Sequence, residues 1–171
     1  MRLFVALGAL LVFACAPVPE IEAALAKPKL QSVGAEVKSW GVMLRKWTVD
    51  AEGRVEHTSG GRPGQAPADT TIDVRRLVLP AASRVQLAEA IERVKAVLAT
   101  PEHCDERLTD GPYGTFSWDE GAGAQQLKID GNCVKGRDAQ LSEAIFAVDK
   151  IVDDAAKATE PVERHPATQD R

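Results

Sequence analysis

Two stretches of this chain carry apolar residues on one helical face only, and that single-sidedness limits the possible folds more than any other feature. Leu87, Ile91, Val94 and Leu98 recur at helical spacing after Ser83, with Gln86 in the capping-box position and Thr100-Pro101 as a stop. Leu141, Ile145, Val148 and Val152, with Ala144 and Ala155, repeat the pattern between about Asp138 and Lys157. A helix with one apolar stripe has to bury it against another layer.

Segments of period two supply that layer. Val37 to Val49 is rich in Val, Trp, Leu and Thr and reads as a strand; Asp50-Ala51-Glu52-Gly53 reads as a tight turn, and Arg54 to Thr58 as the returning strand. The apolar phase shifts from Trp40, Val42 and Leu44 to Trp47 and Val49, which predicts a bulge or strong twist near Arg45. Thr71 to Leu79 reads as a third strand. Thr115 to Asp119 and Gln125 to Asp130 read as a second hairpin around Gly121 and Gly123. The expected fold is therefore α+β: a two-layer domain with a mainly antiparallel sheet of about five strands, in the order β-β-β-α-β-β-α, and both helices on one face. Residues 36–157 form this single domain. Residues 15–35 are expected as a flexible tether and residues 158–171 as a disordered tail, because both are rich in Pro and charge without periodicity.

The first fourteen residues read as a signal peptide. Arg2 precedes an apolar run from Leu3 to Ala14, about a dozen residues against the roughly twenty that a spanning helix needs. Val12-Phe13-Ala14-Cys15 resembles the bacterial lipobox, in which cleavage before the Cys leaves it as the lipidated N-terminus. Cleavage after Ala16 or Ala26, or retention of the segment as an anchor, stays open. Cys15 as a lipidation site makes the chain a membrane-anchored lipoprotein of the cell envelope, facing the periplasm or the exterior; the alternative is a secreted soluble protein.

Of the three Cys, this leaves Cys104 and Cys133, which in an oxidising compartment are expected to form a disulfide. The rival reading makes His103 and Cys104 half of a metal site, but no second closely spaced ligand pair exists. No cofactor or metal is expected. The formal net charge of -4, more negative still without Arg2, argues against nucleic acid as a partner.

Chemistry is hard to find. His57, His103 and His165 have no partner at triad or ligand spacing, and no nucleophile elbow, zincin motif or phosphate-cradling glycine loop is present. Asp105, Glu106 and Asp110 read as a solvated acidic loop and Trp40, Trp47 and Trp118 as core aromatics. Two loops remain as binding candidates. One is Ser59 to Pro67, where Pro restricts the chain around Arg62; the other is Glu102 to Tyr113, braced by Cys104 and carrying the only Tyr. Arg62 and Tyr113 are the candidate partner-binding residues, with no catalytic residue named.

Over roughly Val37 to Ala155 the order of hairpin, helix, hairpin and helix is similar to that of small bacterial metalloprotease inhibitors of the emfourin type. The resemblance implies inhibition of a protease. The residues alone point to a non-catalytic binding module of the envelope, with protease inhibitor, or enzyme with an unrecognised site, as alternatives. Mass spectrometry of the membrane fraction is expected to find an acylated mature chain beginning at Cys15, and Cys15→Ala to release the domain; a soluble chain beginning at Lys27 would contradict this.

Overall fold

A computed structural model describes residues 30–61 and 70–167. Its elements are β1 (Ser32–Ser39), β2 (Val42–Asp50), β3 (Arg54–Ser59), β4 (Thr71–Val78), α1 (Ala81–Leu98), β5 (Glu106–Arg107), β6 (Tyr113–Asp119), β7 (Gln125–Asp130), β8 (Cys133–Lys135), α2 (Arg137–Lys157) and β9 (Glu163–Pro166). Seven strands form one sheet in the order β7-β6-β1-β2-β3-β4-β9, with every neighbouring pair antiparallel, while β5 and β8 form a separate two-stranded ribbon. The class is the expected α+β with two helices.

The strand count exceeds the expected five for two reasons. The segment Val37 to Val49 is not one strand: it folds back at Trp40-Gly41, where Ser39 pairs with Val42. The Asp50–Gly53 turn is as anticipated, with Gly53 at φ 82°. The phase shift read near Arg45 is real, since the register between β1 and β2 slips between Val37, which faces Arg45, and Lys38, which faces Met43. The second extra strand comes from the expected tail, where Glu163–Pro166 pair with Thr71–Val74 and add a seventh strand at the edge. Strand β1 also starts at Ser32, inside the stretch expected as a flexible tether. Helix α1 starts at Ala81 rather than at a Ser83 capping box; Pro80 is its N-cap without a side-chain bond, and the Pro80 carbonyl accepts the first helical hydrogen bond from the Arg84 amide at 3.0 Å.

Both helices cross the strands on one face of the sheet. Arg84 lies over Gly53 in the β2–β3 turn and Lys95 pairs with Glu120 just beyond β6, so α1 spans that end. Helix α2 runs back antiparallel to it. Its Ser142 hydroxyl donates to the Asp130 carbonyl of β7 at 2.9 Å, Asp149 meets β2, Asp153 meets His57 of β3, and beyond its end the Thr159 carbonyl accepts from Arg75 of β4. Between the layers lies one core, in which Val33, Val49, Val55, Phe116 and Trp118 of the sheet meet Leu87, Ile91, Val94, Ile145, Val148 and Val152 of the helices.

The inner face of the sheet turns polar at one corner. Val37, Arg45, Ser59 and Asp73 follow each other across β1 to β4, and Ala35, Trp47, His57 and Arg75 form the next rank. Asp149, 2% exposed, meets this corner with both oxygens occupied: it accepts from Trp47 Nε1 at 2.8 Å and from the Arg45 guanidinium. Asp149→Ala leaves Arg45 without its partner inside the interface. Its expected cost is about 3 kcal/mol, the low end for a broken buried pair because Arg45 keeps 26% of its side chain in water. Urea unfolding measures it, and a loss below about 1 kcal/mol would mean that Arg45 escapes to solvent freely.

Candidate functional site

The two-residue turn between β1 and β2 places both central residues at positive φ, 53° for Trp40 and 76° for Gly41, the pattern of a type I′ turn. Gly41 adopts this without cost. For Trp40, a bulky residue with a Cβ, the left-handed region costs about 1–2 kcal/mol. The indole gains no compensating burial, because Trp40 is 69% exposed, whereas Trp47 and Trp118 are core residues at 1% and 2%. The expectation that all three tryptophans are core residues is therefore corrected for Trp40, which the turn carries out of the sheet.

Tyr113 stands beside this turn. It is the first residue of β6, opposite Lys38 in register, and its hydroxyl oxygen accepts a hydrogen bond from the Gly41 amide at 3.0 Å. Its approach is itself braced. The amide of Gly111 donates to Asn132 Oδ1 at 2.7 Å, that of Leu108 to the Asn132 carbonyl at 2.8 Å, and that of Gly131 to the Pro112 carbonyl at 2.8 Å. Arg107 pairs with Asp130, whose carboxyl this contact holds below the usual carboxylate range. The disulfide Cys104–Cys133, with Cα atoms 5.9 Å apart and 29 residues of separation, ties the loop to the start of α2. A bridge closing a loop of this length stabilises by roughly 3.5 kcal/mol.

Arg62 lies outside the described residues. The segment leading to it does not: the amides of Gly60 and Gly61 donate to the carbonyls of Leu44 and Met43, at 2.9 and 3.1 Å. The start of the Arg62 loop, the Trp40-Gly41 turn and Tyr113 therefore sit at the same end of the sheet. Sequence reasoning singled out the two loops but missed Trp40, Gly41 and Asn132. The Trp-Gly pair lacks the Asn or Asp that usually marks such a turn, and an Asn that braces a loop from 21 residues away has no local signature.

The histidines stay apart. His57 is fully buried between β3 and α2, with Nε2 3.3 Å from Asp153 Oδ1 in an electrostatic contact off the hydrogen-bonding line, and Nδ1 has no partner. His103 is exposed, its Nδ1 near the Pro101 carbonyl, and His165 is exposed on β9. Asp105, Glu106 and Asp110 lie exposed along the loop. Among the described residues no group of three or more His, Cys, Asp or Glu could hold a metal ion, and no helix is long and apolar enough to cross a membrane. Cys15 lies outside the described residues.

No protein-family model, curated protein or solved structure matches this chain.

Asp153 gives the interface a pH dependence. Burial opposes its ionisation, but His57 and Lys157 beside it outweigh that and hold its carboxyl well below the usual range. A carboxyl whose folded pKa is depressed binds its proton more readily in the unfolded chain. Its contribution is therefore complete above pH ~4 and lost as the pH falls further toward the folded value. Urea midpoints measured from pH 7 to pH 2 are expected to fall less steeply on the acid side for Asp153→Asn than for the wild type; parallel acid limbs would remove Asp153 from this role.

Proposed function

We propose that this chain is an exported, lipid-anchored, non-catalytic binding module of the bacterial cell envelope, and that it engages its partner with the sheet end that carries Trp40, Tyr113 and Gly60-Gly61, with Arg62 following them in sequence. One observation carries the reading: Trp40 is held out in water on a turn that its own backbone disfavours. The indole adds no burial to the fold in that arrangement, and Trp, Tyr and Arg are the residue types in which interface energy concentrates.

The direction of β1 supports it. The chain enters the sheet at Ser32, where the Gln31 amide donates to the Asp119 carbonyl at 2.7 Å, and reaches Trp40 at the other end of the strand. Eight residues of strand span about 26 Å. A tether from Cys15 thus enters at the pole opposite the exposed tip, which is presented away from the membrane.

A second reading, protease inhibitor, draws on the same protruding turn, since a rigid convex loop is the shape that enters a protease cleft. The two readings separate in one set of assays. Native lipidated protein purified from envelope membranes should retain a partner that Trp40→Ala or Arg62→Ala loses by on the order of 1–2 kcal/mol or more, with Tm nearly unchanged. Stoichiometric inhibition of a metalloprotease, abolished by Trp40→Ala, would make the partner a protease. Hydrolase turnover that disappears with His57→Ala or His103→Ala would overturn the non-catalytic reading.

A further inference from the structure

Tyr113 enters the binding reading as a contact residue, but its hydroxyl is already engaged inside the domain. In a two-residue hairpin turn the amide of the second central residue has no place in the ladder and ordinarily faces water. Here that amide, Gly41 N–H, donates to Tyr113 Oη at 3.0 Å. The bond comes from a different strand and a segment 72 residues away, so it restrains the turn from outside the hairpin. Behind Tyr113 stand its ladder pairing with Asp130 of β7, the Asn132 bonds and the disulfide, none of which belongs to the turn.

We infer that Tyr113 is a positioning residue that holds the Trp40 turn in its left-handed conformation, and that Trp40 is the anchor, shaped for an apolar pocket on a protein partner. This rests on the binding reading above and names its mechanism. The geometry favours a pocket over a flat ligand, because Trp40 stands 69% exposed on the two-residue turn that ends a hairpin, and a protruding indole is matched by a concave apolar site with an acceptor for its N–H. Holding the backbone of the turn before contact removes part of the ordering cost of binding. A lipid surface is the competing occupant, disfavoured because the chain enters the domain at the opposite pole.

The test uses the three indoles of the folded chain. Trp47 and Trp118 are buried and serve as internal controls of folding, so mobility at an exposed indole reports on Trp40. Tyr113→Phe keeps the ring and removes only the acceptor oxygen. Its expected effect is amide exchange at Gly41 faster by about fivefold, the factor for one lost hydrogen bond, together with a more mobile Trp40 indole N–H in nitrogen relaxation. The Trp47 and Trp118 signals should not change. Unchanged exchange and mobility at the turn would overturn the positioning role while leaving the binding reading intact. Full partner capture by Trp40→Ala would overturn the binding reading itself, and the anchor with it. Vesicles of phosphatidylglycerol and phosphatidylethanolamine supply the remaining arm: protection of Trp40 from iodide quenching on them would overturn the assignment to a protein pocket, and undiminished quenching supports it.

Discussion

The carboxylate of Asp149 joins the two layers at the point where the hydrophobic pattern of the sheet gives out. Helix α2 can cross from β7 to β4 only by passing over Arg45, His57, Ser59, Asp73 and Arg75, a corner that no apolar helix face could cover. Asp149 resolves this by accepting from Arg45 and from the indole of Trp47, and Asp153, one helical turn further, meets His57. Desolvated charges of this kind add less to net stability than their Coulomb attraction alone would, because removing them from water is costly. What they add is position: in this register of the helix on the sheet Asp149 and Asp153 each find a donor or a neighbouring cation.

That position determines where the rest of the chain goes. With the end of α2 held above β4, the Thr159 carbonyl accepts from Arg75, and residues 163–166 arrive alongside β4 as its neighbour. Arg164 and Arg75 then pair with Asp73, whose carboxyl they hold below its ordinary value despite partial burial. At the other end of α2 the disulfide and the β5–β8 ribbon hold the loop that delivers Tyr113 to the turn. The exposed tryptophan thus sits at the end of a chain of restraints that begins in the core.

The division between the two faces of this molecule has a functional meaning under the binding reading. Between the layers Asp149 and Asp153 meet Arg45 and His57 and orient α2, and His57 is fully buried there. The sheet end carries the opposite combination, with little charge at the turn itself, an exposed indole and a backbone held by neighbouring strands. Such a surface is suited to recognition by shape and apolar contact rather than to proton transfer.

Much of this was legible in the residues. Helical stripes at Leu87 to Leu98 and Leu141 to Val152, alternation at Phe116, Trp118, Leu127 and Ile129, and the spacing of Cys104 and Cys133 determined the two-layer class, the position of both helices and the disulfide, because each depends on local periodicity or on covalent chemistry. The exposure of Trp40, the incorporation of Glu163–Pro166 into the sheet and the polar corner around His57 were decided only by the tertiary structure. Trp40 reads as a core strand residue until Ser39 is seen to pair with Val42; a short charged tail reads as unstructured until β4 offers it an edge; and Arg45 reads as a surface cation until α2 brings Asp149 over it. Each depends on which residues meet across tens of positions, and that information resides in the packing of whole elements, not in the spacing of neighbours along the chain.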